Sequence, residues 1–272
     1  APFGAGGAID FDLRKLSGRL RGQPASGGGH FALPAGSQDW QFRGVDVRFG
    51  RTHVELNGGL GSRRDLTFAL DAEDLSLLDP EARGRLNARG RFAGTPEMPL
   101  LLFKARGGDF EWRGNTLAGL NADVDIDLAA GRRTQGQVDL TNLTVAGRTA
   151  QKVSLTLSGS TDAQRIVASM EAAPLRSTLA AEGVIAGGQW QGAINSMAVT
   201  DAQNLELKLV APAPLRFSAR EAVLENLCLT GMAERFCASG TRDAAGPWSA
   251  RFSATALPLR TLTAGLTQDM AY

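Results

Sequence analysis

The chain has 272 residues, a formal net charge of +1 and 43% hydrophobic residues, so it can bury a sizeable core, and neither a disordered chain nor a basic nucleic-acid binder fits. Glycine is abundant at 33 residues while aromatics make up only 6%, the composition of many turns around a core of Leu, Val, Ala and Ile. No run of 18 apolar residues occurs, so no transmembrane helix is expected, and the opening Ala1-Pro2-Phe3-Gly4, which lacks the regions of a signal peptide and begins without Met, reads as that of a processed protein or an excised fragment.

From Ala8 the text reads as short strands between Gly, Pro, Asn and Asp punctuation, at 8–13, 29–33, 39–42, 45–49, 53–60 and 66–73. A break follows over 74–82, where one helical turn fits and Pro80 disfavours helix through Asp79. Strands resume at 83–92, and after a turn at 94–99 come 100–106, 109–113, 120–128, 136–142, 143–146, 153–159 and 165–171. The remainder reads as 177–185, 189–194, 205–210, 215–219, 222–230, 236–239 and 248–254, with a short helix at 259–267. Helical patterns do not alternate with these strands, which excludes a doubly wound α/β fold. The expectation is an all-β antiparallel meander with few short helices, one repetitive domain over 1–272 with a minor break near 74–82.

The clearest stretch runs from Gly114 to Leu128. Leu120, Ala122, Val124, Ile126 and Leu128 fall on one parity, and Asn121, Asp123, Asp125 and Asp127 on the other. That is the period of a half-buried strand, with one apolar face and one acidic, solvated face. The phrase returns 33 residues later at Gly147, where Val153, Leu155 and Leu157 take the places of Leu120, Ala122 and Val124. Sheet is thus built by adding similar strands. The same alternation occurs at Leu66, Phe68 and Leu70, at Val138 and Leu140, and at Leu205, Leu207 and Leu209. A sandwich or a barrel would also give it. A membrane barrel is excluded, because the aspartates cannot face lipid and one Tyr with four Trp cannot form aromatic girdles.

Chemistry is hard to place on this chain. His30, His53, Cys228 and Cys237 are its only His and Cys residues and have no zinc-ligand spacing. The alternating aspartates point one way like a comb instead of wrapping calcium. Gly27-Gly28-Gly29-His30 lacks the Gly-Lys-Ser/Thr end of a phosphate loop and reads as a flexible turn. No catalytic constellation is found, so no enzyme, cofactor or metal is expected.

The cysteines carry more information. Pairing Cys228 with Cys237 also sets Leu229 against Phe236 and Leu227 against Ala238, so one hairpin register satisfies all three pairs. Directly opposed positions bring two Cβ atoms close enough for a disulfide after modest adjustment. Such a bond implies an oxidising compartment. The alternative is two buried thiols in a reducing cell.

Three sets of phrases together resemble the TamB family of AsmA-like proteins of Gram-negative bacteria. One is the strand phrase at Gly114 and Gly147. Another is Gly188-Gln189-Trp190-Gln191-Gly192 followed by Leu205-Glu206-Leu207 and Ala211-Pro212-Ala213-Pro214. The last joins Leu224-Glu225-Asn226-Leu227-Cys228-Leu229 to Phe236-Cys237-Ala238, Trp248 and Leu257-Pro258-Leu259. Their order is similar to the middle of TamB over roughly residues 40–272.

The resemblance implies a periplasmic segment of a parent anchored in the inner membrane, working with the outer-membrane barrel TamA through parts not present here. It implies an elongated, curved sheet, a β-taco whose U-shaped groove has an apolar interior. Its function would be to shield phospholipid acyl chains between the membranes in support of outer-membrane biogenesis. Groove-lining residues are then expected at Leu66, Phe68, Leu70, Leu120, Val124, Ile126, Leu128, Val138, Leu140, Val153, Leu155, Leu157, Leu205, Leu207 and Leu209. Two rival expectations are a structural β stalk resembling an adhesin passenger, with its apolar parity filled by side chains, and a chaperone groove that adds peptide to sheet edges during outer-membrane protein assembly.

Overall fold

Alternation of apolar and polar residues drives most of the chain into strand. The computed structural model describes residues 7–61, 64–95, 98–128, 133–203, 205–218, 221–243 and 248–256. Its strands are β1 (Ile9–Leu20), β2 (Gln23–Leu33), β3 (Trp40–Phe49), β4 (Thr52–Leu60), β5 (Arg64–Ala72), β6 (Ala82–Gly94), β7 (Pro99–Trp112), β8 (Asn115–Asp127) and β9 (Arg133–Val145). They continue as β10 (Arg148–Ser160), β11 (Ala163–Ala172), β12 (Leu175–Ala186), β13 (Gln189–Thr200), β14 (Glu206–Leu209), β15 (Ala213–Phe217), β16 (Ala222–Thr230), β17 (Arg235–Arg242) and β18 (Ser249–Thr255). The single described helical element is a 3-10 turn, Leu75–Leu77, at the break expected over 74–82. The helix expected at 259–267 lies outside the described residues. Among those described, no helix is long and apolar enough to cross a membrane.

The chain divides into two compact units, Ala1–Ala129 with Gly136–Leu140, and Ala130–Gln135 with Thr141–Tyr272. In the first unit β1 to β8 form an antiparallel meander in which each strand pairs with its chain neighbours. In the second, β10 to β13 and β16 to β18 do the same. Between those runs the short strands β14 and β15 lie end to end, each pairing with both β13 and β16. The all-β antiparallel meander read from the sequence is therefore the fold.

Several strands are longer than alternation indicated, because bulges interrupt the period without ending the strand. The stretches 39–42 and 45–49 are one strand, β3, whose register with β4 shifts between Phe42 and Val45. Likewise 100–106 and 109–113 are both β7, which passes through Asp109 at φ 56.

The run Gly27-Gly28-Gly29 is not a turn but the middle of β2. Its backbone lies so close to β3 that a Cβ on Gly27 would come within 2.2 Å of the Asp46 carbonyl oxygen, and one on Gly29 within 2.5 Å of the Val45 Cα. Both residues adopt positive φ, at 147 and 138, which glycine adopts without strain. The glycines therefore permit close strand approach.

Candidate functional site

Register assembles one parity of the first unit into an apolar face. Across the strands runs the row Phe11, Phe31, Phe42, Gly58, Leu66, Phe92, Leu101 and Ile126, each directly opposite the next. One rung further on come Leu56, Phe68, Gly90, Phe103 and Val124. Beyond them, Leu70, Ala88, Ala105 and Ala122 form a row of smaller residues. Rings stack within the face, Phe11 on Phe31 at 4.9 Å and Phe68 on Phe92 at 5.4 Å between centroids. Within this unit, no second sheet and no helix other than the 3-10 turn at Leu75–Leu77 is described against the face.

The two margins of this face differ. At one, the side chains shrink to Thr52 and Ala72, both 1% exposed. The 3-10 turn closes over that margin: Arg21 donates to the Ser76 and Leu77 carbonyls at 2.9 and 3.1 Å, and Thr52 Oγ1 donates to the Asp74 carbonyl at 3.5 Å. At the other, beyond Leu66 and Phe92, a recess of about 840 Å³ lies among Trp40, Leu60 and Arg64.

The opposite parity is charged. Arg91 meets Asp65 at 2.7 Å, Lys104 meets Asp123 at 2.6 Å and Arg51 meets Glu73 at 2.7 Å. Such exposed pairs contribute at most about 1 kcal/mol each, so they keep this face solvated more than they hold the fold together. His53 Nε2 lies 3.0 Å from Asp46 and 3.3 Å from Glu55, a grouping of metal-ligating types with no zinc-ligand spacing in sequence. The Arg48 guanidinium lies 3.3 Å from the same nitrogen and 3.8 Å from Asp46, so a positive charge already stands among these groups.

The residues expected to line a groove fall as follows. Leu66 and Val124 are buried on the apolar face of the first unit, and Phe68, Leu70, Leu120, Ile126 and Leu128 are half-buried on it. Val138 and Leu140, in the part of β9 that belongs to this unit, are half-buried too. Asp123 and Asp125 face solvent as expected, but Asp127 is buried, 8% exposed. It stands opposite Leu100 in the last rung, next to Leu128, whose N–H bonds to the Pro99 carbonyl at 3.2 Å.

In the second unit, Leu157, Ile166, Ala181, Ile194 and Ala213 form a comparable row. Val153 is half-buried beside it, while Leu155 is 41% exposed. Leu207 is buried opposite Val199, Leu209 is half-buried opposite Leu229, and Leu205 is half-buried just ahead of β14. Here the face is partly filled by a core of Ala181, Trp190, Ile194, Ala213 and Leu227. The Trp190 ring lies over Gly183 and Gly192, where a Cβ at either would come within 2.6 Å of it, and it stacks on Phe217 at 5.1 Å.

Cys228 and Cys237 are disulfide-bonded, with Cα atoms 4.1 Å apart. Leu229 faces Phe236 and Leu227 faces Ala238, the register expected from the sequence.

Fold and site together define an antiparallel β protein of serially added strands, apolar along one face and charged along the other, clasped by a disulfide. Residues 5–272 match the family model described as TamB, N-terminal domain, and the chain belongs to the TamB family. The matched model is the N-terminal domain and not the middle of TamB, which the order of the sequence phrases resembles. Comparison with curated proteins and with solved structures gives no match. Membership brings involvement in outer-membrane biogenesis, an inner-membrane-anchored periplasmic setting and a TamA-like partner system.

Proposed function

We propose that this chain is a periplasmic segment of a lipid conduit, whose apolar face shields phospholipid acyl chains in passage between the inner and outer membranes and which performs no covalent chemistry itself. The observation that carries the reading is the unbroken apolar register from Phe11 to Ile126, running across the strands on a face that no second layer is described covering. At the usual spacing of neighbouring strands, such a path is roughly 34 Å long. Exposing one acyl chain of about 16 carbons to water costs on the order of 13 kcal/mol, at about 0.8 kcal/mol per CH₂. A continuous apolar path removes most of that cost. The polar parity meanwhile stays hydrated.

The packed core around Trp190 favours a second reading, a structural β stalk whose apolar parity is consumed by its own side chains. Lipid extraction of the purified chain separates the two. Copurifying phospholipid that is lost in Val124→Asp and Leu155→Arg supports the conduit; folded protein that never carries lipid supports the stalk.

A further inference from the structure

We propose that Arg64 anchors the headgroup on this face, binding the phosphate of a lipid whose acyl chains lie against Trp40, Leu60, Leu66 and Phe92; the inference rests on the lipid reading above.

Parity places Arg64 with Leu66, Phe68, Leu70 and Ala72 on the apolar face of β5, at the margin that the 3-10 turn leaves open. Gly94 stands directly opposite it and offers no side chain. Every other described Lys or Arg is exposed, whereas Arg64 is half-buried. The neighbouring cation Arg91 pairs with Asp65, but Arg64 has no hydrogen-bond or ion-pair partner among the described residues. Asp39 lines the same recess, yet its carboxylate lies against Gly61, where a Cβ would meet it at 2.0 Å, and is already engaged.

A half-buried guanidinium with no counter-ion among the described residues keeps a desolvation cost that none of them offsets. Phosphate fits its planar donor fork in a bidentate manner. The recess of about 840 Å³ beside it has Ser37, Gln38, Asp39 and Gly61 along one part of its wall and two aliphatic and two aromatic side chains along the rest, and that apolar part suits the first part of an acyl chain. One cation at the rim of an apolar surface is the complement of an anionic amphiphile.

The test measures binding of the purified chain to phosphatidylglycerol carrying a fluorescent acyl chain, to diacylglycerol carrying the same chain, and to glycerol 3-phosphate. Wild type is expected to bind phosphatidylglycerol about tenfold more tightly than diacylglycerol, the factor one charge-assisted hydrogen bond supplies. Arg64→Gln is expected to remove that ratio while leaving diacylglycerol affinity unchanged, and Arg64→Lys to keep part of it. The anchor is overturned if wild type shows no preference, if Arg64→Gln keeps the preference or loses both affinities alike, or if glycerol 3-phosphate binds as tightly as the lipid. Wild type that binds neither lipid overturns the conduit reading as well, whereas binding without preference removes the anchor alone.

Discussion

Gly90 stands directly across from Phe103, and a Cβ on it would lie 2.6 Å from the Phe103 Cβ and 2.3 Å from the Leu102 carbonyl oxygen. On its other side it faces Phe68. The glycine thus separates two phenylalanines along the row and lets the β7 backbone approach closely. Gly90→Val is predicted to destabilise the first unit by about 1–3 kcal/mol through overpacking. Urea unfolding followed by circular dichroism checks this, and an unchanged midpoint contradicts it.

The Cys228–Cys237 bond closes a short loop, with a sequence separation of 9. Restricting a loop of that length in the unfolded chain stabilises the fold by about 2–3 kcal/mol on the chain-entropy model. Cys228→Ser with Cys237→Ser is predicted to lower unfolding stability by that amount, and wild type treated with reductant should show a similar loss. Mass spectrometry of unreduced protein that finds two free thiols contradicts the pairing.

Hydrogen bonds from the Ser76 side chain and backbone hold the Asp74 carboxyl below its ordinary pKa, and the Ser76 N–H donates to Asp74 Oδ1 at 2.9 Å. A carboxylate with a depressed folded pKa contributes fully above its unfolded value, near 4, and loses the contribution as pH falls through the lower folded value. Protection of the Ser76 and Leu77 amides against hydrogen exchange is therefore predicted to hold from neutral pH down to about 4 and to drop below it. In Asp74→Ala it should be low throughout. Equal protection in variant and wild type contradicts the cap.

Alternation made some strands legible almost to the residue. The stretch read at 222–230 is β16, and 53–60 differs from β4 by a single residue. It failed where the backbone departs from a plain pleat. The positive-φ glycines of β2 resemble a turn in sequence because close strand approach and chain reversal both call for the same residue. The bulge between Phe42 and Val45 moves the apolar set to the other parity, so one strand reads as two.

Asp127 is on the polar parity yet buried, in the last rung of β8, so period alone does not decide burial at a strand end. Arg64 lies outside the strand read at 66–73, although its even number places it with Leu66, Phe68 and Leu70. Close strand spacing and the closing of one margin by the 3-10 turn come from contacts distant in sequence, which periodicity does not encode.

The central claim, that the apolar face of the first unit holds acyl chains, is tested most directly by site-specific photocrosslinking in cells. A photoreactive residue is placed in turn at Val124 and Phe103 on the apolar face, and at Asp123 and Lys104 on the charged face one residue away. The account predicts phospholipid adducts at 124 and 103 and none at 123 and 104. Adducts at equal yield on both faces, or none at 124 and 103 in folded protein, contradict it.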